Sequence, residues 1–115
     1  MEINLKNFSK FKILVGTVIS VSKNEKAKKP AYILDIDFGK PTGVKKTSAQ
    51  ITNYKFEDLL NSQIVAVTNF PSKNIAGIVS EVLILGAMTS NGVNLLRVDM
   101  RIKNGTLVGW WGIKN

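Results

Sequence analysis

The chain has no cysteine and no histidine among its 115 residues. Disulfides, thiolate nucleophiles, Cys/His zinc sites and every Ser-His-Asp or Cys-His catalytic arrangement are therefore excluded for this chain. Acidic residues are also scarce, eight against 16 lysines and arginines. Asp35 and Asp37 have the spacing of one strand face, but two carboxylates make a poor metal cage. We interpret both as solvated or salt-bridged side chains, and the sequence predicts no enzyme and no cofactor.

Long apolar runs are also lacking. No run approaches the ~18 uninterrupted apolar residues that a membrane span needs, and the segment from Met1 to Lys12 has no apolar core typical of a secretory signal. A chain of 115 residues with 44% hydrophobic content is long enough for one domain, predicted over residues 1–115. We expect a cytoplasmic protein without membrane insertion.

Strand patterns dominate the first half of the chain. Ile13 to Val21 is rich in β-branched residues, and Gly16 within it predicts a bulge or bend. Turn residues at 39–43 predict a reversal into a third strand, Val44 to Ile51. Between them, Lys29 to Gly39 alternates with a period of two. The side chains predicted to face inward are those of Tyr32, Leu34, Ile36 and Phe38.

The second half predicts one helical turn and more short strands. The turn is expected at Phe56 to Leu60, a strand at Ile64 to Thr68, and a loop over residues 69–80. Asn91-Gly92 predicts a hairpin between Val82–Met88 and Val93–Val98, and Asn104-Gly105 repeats that signal before Thr106–Trp111. At the N-terminus, Phe8 and Phe11 suggest a helical turn at about residues 6–12 that caps a barrel end.

Five to seven short strands with hairpin turns predict an all-β domain, either a small closed barrel or a sandwich. The short helix predicted between the third and fourth strands favours an OB-type barrel.

The chain carries a net charge of +8, and this excess is uneven. Residues 1–50 hold ten lysines and four acids, a net of +6, whereas residues 51–115 hold six basic and four acidic residues, a net of +2. The run Lys23 to Lys29 and the pair Lys45-Lys46 concentrate this charge on segments that border the binding face of an OB-type barrel. The pattern is typical of nucleic-acid binding. A solvated lysine-rich face and an anionic membrane surface are the alternatives.

Arginine is scarce, because 14 of the 16 basic residues are lysine. Bidentate reading of bases by arginine is therefore rare here, and backbone and shape recognition fit better.

Trp110 and Trp111 are adjacent, so on a strand they would face opposite sides and could not both enter one core. An exposed tryptophan predicts a partner surface, most simply a homodimer; the alternative is a ring lying across the domain's own surface.

Four strings carry a resemblance to a known family. They are KPAYILDIDFG at Lys29–Gly39, KKTSAQIT at Lys45–Thr52, VTNFPSKNIAG at Val67–Gly77 and SEVLILGA at Ser80–Ala87. In order and spacing they resemble the CsaA-type export chaperones. These chaperones belong to the tRNA-binding-domain superfamily, which also includes domains appended to methionyl-tRNA synthetases. The resemblance covers roughly residues 8–108.

The resemblance implies a five-stranded OB-fold barrel whose terminal extensions, including residues of about 90–115, form a homodimer interface. It also implies a non-catalytic protein that binds tRNA by shape and backbone. The alternative it implies is a chaperone that binds unfolded or preprotein chains for Sec-linked export, with export machinery as a further partner. Dimer interface candidates are Trp110 and Trp111.

Carried over by position, the family's nucleic-acid surface falls on Lys45, Lys46, Ser48, Gln50, Asn69, Lys73 and Ser80. Lys28 and Lys29 are added as phosphate candidates because of their charge. For Asn69 and Ser80 the alternative is turn hydrogen bonding, and for Gln50 a surface role. Loop composition suggests a peptide groove near Phe70, Ile75 and Ile78.

The chain departs from the family pattern near its first predicted strand. The usual acid–Ile–Arg–Val–Gly segment reads Lys12-Ile13-Leu14-Val15-Gly16, so the acid and the arginine are absent. Val82-Leu83 replaces the Gly-Met that often follows the Ser-Glu or Ser-Gln pair in tRNA-binding relatives, which favours the CsaA-type branch.

Overall fold

A computed structural model describes residues 1–111 as ten short strands and two single-turn helices. The helices are α1 (Leu5–Phe8) and α2 (Phe56–Leu59). The strands are β1 (Ile13–Lys23), β2 (Tyr32–Asp37), β3 (Val44–Ala49), β4 (Gln63–Val67), β5 (Lys73–Ile75), β6 (Ile78–Ser80), β7 (Leu83–Ile84), β8 (Gly86–Thr89), β9 (Gly92–Leu95) and β10 (Leu107–Val108).

The main sheet has the order β3-β2-β1-β4-β7, and β10 adds a short pairing to the start of β1. Every pairing within it is antiparallel. The edge strand β3 is connected to the chain just before β7 by backbone hydrogen bonding: the Glu81 amide donates to the Lys46 carbonyl at 2.8 Å. The sheet therefore curls into a nearly closed barrel, and the fold is all-β and OB-like, as predicted.

The barrel interior is filled by alternate residues of β2, as the period-two pattern predicts. Leu34, Ile36 and Phe38 are fully buried, and Tyr32 is 7% exposed. The Tyr32 hydroxyl donates to the Tyr54 carbonyl at 2.8 Å, so its one polar atom is satisfied inside the protein. The inward assignment of these four residues is confirmed.

Gly16 does not mark a bulge, so this prediction is wrong. β1 pairs regularly with β4 through Gly16, and its irregularity lies between Val18 and Ser20, where the register to β2 shifts. A Cβ at position 16 would lie 2.7 Å from both the Ile36 Cγ2 and the Phe38 ring. Glycine is required here because the β2 side chains cross directly over the β1 backbone.

The predicted loop over residues 69–80 contains a hairpin, which is a second correction. β5 and β6 pair antiparallel with Lys73 opposite Ser80, and Gly77 at the turn has φ +83°. Strands of three residues are too short to produce a periodic hydrophobic pattern. The reversal at Asn91-Gly92 is confirmed as β8–β9, with Thr89 opposite Gly92. The predicted flanking strands are shorter, because β7 within Val82–Met88 pairs with β4 and β9 ends at Leu95.

The terminal segments differ in extent from their predictions. The N-terminal turn occupies Leu5–Phe8, and the Phe11 ring lies between those of Phe8 and Phe70, at centroid distances of 6.5 and 5.8 Å. The final strand is only Leu107–Val108. Trp110 and Trp111 follow it and are 52% and 99% exposed. The last four residues of the predicted dimer extension lie outside the described residues.

Candidate nucleic-acid interface

Three segments from different parts of the chain meet at one side of the barrel: the loop at residues 24–31 between β1 and β2, the edge strand β3, and the β5–β6 hairpin. Together they carry six lysines, which we call the lysine rim: Lys26, Lys28, Lys29, Lys45, Lys46 and Lys73.

Ser80 joins the hairpin to β3. Its hydroxyl accepts a hydrogen bond from the Ser48 amide at 2.8 Å and lies 2.9 Å from the Thr47 hydroxyl. The Thr47 hydroxyl also donates to the Val82 carbonyl at 2.9 Å. Ser80 is 4% exposed and Thr47 is 2% exposed. This buried polar connection fixes the hairpin against the strand.

Asn24 joins the 24–31 loop to the same strand. Its side chain is nearly buried; Nδ2 donates to the Ser48 hydroxyl and Oδ1 accepts from the Lys26 amide, both at 3.2 Å. The loop also reaches the hairpin, because the Lys26 Cδ lies 3.5 Å from the position a Cβ on Gly77 would take. The lysines of the loop are thus held beside those of β3 and β5.

Lys45 and Lys46 point to opposite faces of β3, because neighbouring strand residues alternate. The Lys46 Nζ lies 2.8 Å from a carboxylate oxygen of Asp35, the residue that pairs with Lys46 on the neighbouring strand β2. The Lys45 Nζ lies 3.8 Å from a Glu81 carboxylate oxygen. Glu81 also accepts the Lys46 amide at 3.0 Å, which gives it a structural part in the closure of the barrel. Both lysines stay partly exposed beside their partners.

The predicted site residues divide into two groups. Lys28, Lys29, Gln50 and Lys73 are exposed, and Ser48 is half-buried beside them. Ser80 is buried in the connection described above, so its hydroxyl is turned away from a surface ligand. Sequence reasoning did not select Lys26 or Asn24, although both lie within the basic run that it identified.

Asn69 lies apart from the rim and clamps the N-terminal segment. Its Oδ1 accepts from the Lys12 amide at 2.8 Å, and its Nδ2 donates to the Lys10 carbonyl at 2.7 Å. Thr68 adds two hydrogen bonds to the Lys12 carbonyl, one from its amide and one from its hydroxyl. These bonds span more than fifty residues of sequence, so they differ from the turn bonding considered as the alternative.

A second surface beside the hairpin is mainly apolar. This groove has a volume of about 420 Å³. Phe70, Ile75 and Leu83 line it and are 46%, 37% and 48% exposed, and Pro71 and Val82 complete its apolar wall. Lys73, Ser80 and Glu81 border the groove, so it adjoins the lysine rim. Ile78, predicted for the same groove, is half-buried and is not among the residues that line it.

Within residues 1–111, no group of three or more acidic side chains lies close enough together to hold a metal ion. The helices of this part of the chain are also too short to cross a membrane.

Comparison with known proteins places the chain in a family. Residues 13–107 match the family described as "Putative tRNA binding domain". A methionine–tRNA ligase from Pyrococcus horikoshii is 32% identical over 111 residues, and the matched region is 92% of this chain but 14% of the ligase. The chain therefore spans a small part of that curated relative.

Two solved structures match over almost the whole chain. The CsaA chaperone protein from Picrophilus torridus is 49% identical, with a TM-score of 0.89 over 94% of this chain and 100% of that one. The chaperone CsaA from Bacillus anthracis is 43% identical, with a TM-score of 0.89 over 95% of this chain and 100% of that one. The chain belongs to the tRNA-binding-domain family, in its CsaA-type branch.

Proposed function

We propose that the protein binds tRNA without catalysis, by contacts from the lysine rim to the RNA backbone. Lys28, Lys29 and Lys73 are exposed, and Lys45 and Lys46 stay partly accessible beside their carboxylates. Ammonium groups at these positions act as point charges toward phosphate oxygens. Gln50 and the half-buried Ser48 add hydrogen-bonding groups for phosphate or ribose 2′-hydroxyls, which distinguish RNA from DNA.

The single observation that carries this proposal is the assembly of the rim from three segments that are distant in sequence. Asn24, Ser48 and Ser80 connect the loop, the strand and the hairpin through hydrogen bonds of 3.2 and 2.8 Å. A solubilising lysine surface would not require such connections between its segments. The family assignment supports the same reading.

A second candidate function is binding of unfolded or preprotein chains. The apolar groove at Phe70, Ile75 and Leu83 supports it, as does the similarity to two proteins described as CsaA chaperones. Exposed apolar side chains around a concave surface bind hydrophobic segments of a polypeptide. We also expect export machinery as a further partner and a cytoplasmic location, and both stay predictions.

Homodimer formation belongs to the same proposal. The exposed rings of Trp110 and Trp111 support a partner surface at the C-terminal end, and a two-fold dimer would present two lysine rims to one RNA. Sedimentation at micromolar protein concentration, with W110A/W111A as the comparison, tests this part separately.

The experiment that tests the main proposal is a titration of bulk tRNA with the protein across a salt series. Four to six phosphate contacts predict a log–log slope of roughly −3 to −5. A denatured polypeptide added as competitor tests whether the two candidate ligands share a surface. No tRNA binding at low salt would contradict the proposal and leave the polypeptide-binding function standing alone.

A further inference from the structure

The 24–31 loop encloses a second cavity on its other side, away from the hairpin. The cavity has a volume of about 480 Å³ and is open to solvent. This volume falls within the ~300–1,000 Å³ typical of small-ligand sites. Its wall combines cationic, polar and apolar groups from Lys23, Asn24, Ala27, Lys28, Pro30 and Thr52. Sequence reasoning selected only Lys28 among these residues.

The charges of the cavity favour an anionic ligand. Lys23 and Lys28 line it with two ammonium-bearing side chains, and Glu25 is the one acidic residue among the lining residues. The lining therefore carries an excess of one positive charge, which favours a phosphate group near the lysines. Ala27, Pro30, Ala31 and the largely buried Tyr32 give an apolar surface for a flat ring, while Asn24 and Thr52 bring polar groups to the same space.

The cavity is continuous with the lysine rim through Asn24. This residue lines the cavity and also donates to Ser48 on β3. Two lysines of the loop therefore lie at different surfaces. Lys26 extends toward Gly77 of the hairpin, whereas Lys28 lines the cavity. An RNA backbone that follows the rim passes the mouth of a space large enough for one nucleotide.

We infer that this cavity receives one unpaired nucleotide of the bound RNA, with its base against Ala27 and Pro30 and its phosphate beside Lys23 and Lys28. The inference rests on the proposed RNA-binding function and deepens it. It assigns the preferred substrate as duplex RNA that carries an extrahelical nucleotide, distinguished from a fully paired duplex by occupancy of the cavity.

The test compares three RNAs built on one duplex sequence in a binding titration at fixed salt. They are a fully paired short duplex, the same duplex with a single-nucleotide bulge, and the bulged duplex with an abasic site at the bulge. We expect the bulged duplex to bind roughly fivefold or more tightly than the paired one, and removal of the base to abolish the difference.

A variant that fills the cavity without a change of charge is Ala27→Met. It should reduce the preference for the bulged duplex to near unity while binding of the paired duplex persists. Ala87→Met, on the exposed strand β8, makes the same change elsewhere and should keep the preference. If Ala27→Met lowers the melting temperature, Thr52→Met, which fills the cavity from an exposed position, carries the test in its place.

The outcomes separate this inference from the function on which it rests. Equal binding of the three RNAs by the unaltered protein would overturn the cavity assignment and leave backbone binding by the rim intact. Failure to bind any of the three at low salt would overturn both. A preference that survives both Ala27→Met and Thr52→Met would place the extrahelical nucleotide elsewhere and also overturn the inference.

Discussion

Lys46 on β3 and Asp35 on β2 face each other across the strand pairing, with the ammonium nitrogen 2.8 Å from a carboxylate oxygen. The positive charge of Lys46 is thus partly neutralised in the free protein. An RNA phosphate that approaches Lys46 has to compete with this carboxylate.

Asp35→Asn should raise the affinity for tRNA by about two- to fivefold at low salt, because an exposed ion pair is worth about 0.2–1 kcal/mol. Asp99→Asn changes the net charge equally but lies outside the rim, and it should have a smaller effect. The measurement is a pair of tRNA titrations at one salt concentration. Equal gains in the two variants would show that only total charge matters.

Gly16→Ala should destabilise the fold by about 1–3 kcal/mol, because the added methyl group overlaps Ile36 and Phe38. Gly109→Ala is the matched control, since within residues 1–111 no atom outside its two chain neighbours lies within 4 Å of a Cβ at that position. Thermal unfolding followed by circular dichroism measures both. A melting temperature unchanged by Gly16→Ala would contradict the close approach of β2 to β1.

Asn69→Ala should release the N-terminal segment, because it removes the bonds to Lys10 and Lys12. Hydrogen exchange at the Lys12 amide should accelerate while tRNA affinity stays the same. Asn69→Asp retains the acceptor for that amide and should restore part of the protection. Weaker tRNA binding without faster exchange would instead support the RNA contact that the resemblance implied for Asn69.

Leu83→Ser should weaken binding of a denatured polypeptide and leave tRNA binding unchanged, because Leu83 lines the apolar groove. Leu60→Ser offers a close match, since Leu83 and Leu60 are 48% and 49% exposed and Leu60 lies outside the groove. Suppression of aggregation of the denatured polypeptide, read by light scattering, compares the two. The same loss in both variants would contradict binding of the polypeptide in the groove.

Local patterns in the sequence located strands β1 to β4 to within about three residues at each end. They did not divide Val82–Met88 between β7 and β8, and the strand after Asn104-Gly105 pairs with β1 instead of forming the predicted hairpin. The alternation in β2 identified all four inward residues, and the turn residues at 39–43 and at Asn91-Gly92 placed two reversals correctly. The role of Gly16 was missed because the side chains that cover it come from another strand. Sequence shows that a glycine is present but not which residue approaches it.

The candidate site was less predictable, because its geometry depends on pairings between distant segments. The Ser80 hydroxyl is buried by its hydrogen bonds with Thr47 and Ser48, and no local sequence pattern indicates these contacts. The opposite directions of Lys45 and Lys46 do follow from strand alternation and could have been derived. The cavity beside Lys28 depends on how the loop folds back through the Asn24 and Ala31 hydrogen bond.

The most direct measurement of the central claim compares tRNA binding by two triple variants that lose the same charge. Lys45, Lys46 and Lys73 are replaced by alanine in the first, and Lys6, Lys40 and Lys103, which lie outside the rim, in the second. The first variant should bind tRNA at least about tenfold more weakly and with a flatter salt dependence, and its melting temperature should change little. The second should stay within a few-fold of the unaltered protein. Equal loss of affinity in both, or none in the first, would contradict the lysine rim as the RNA-binding surface.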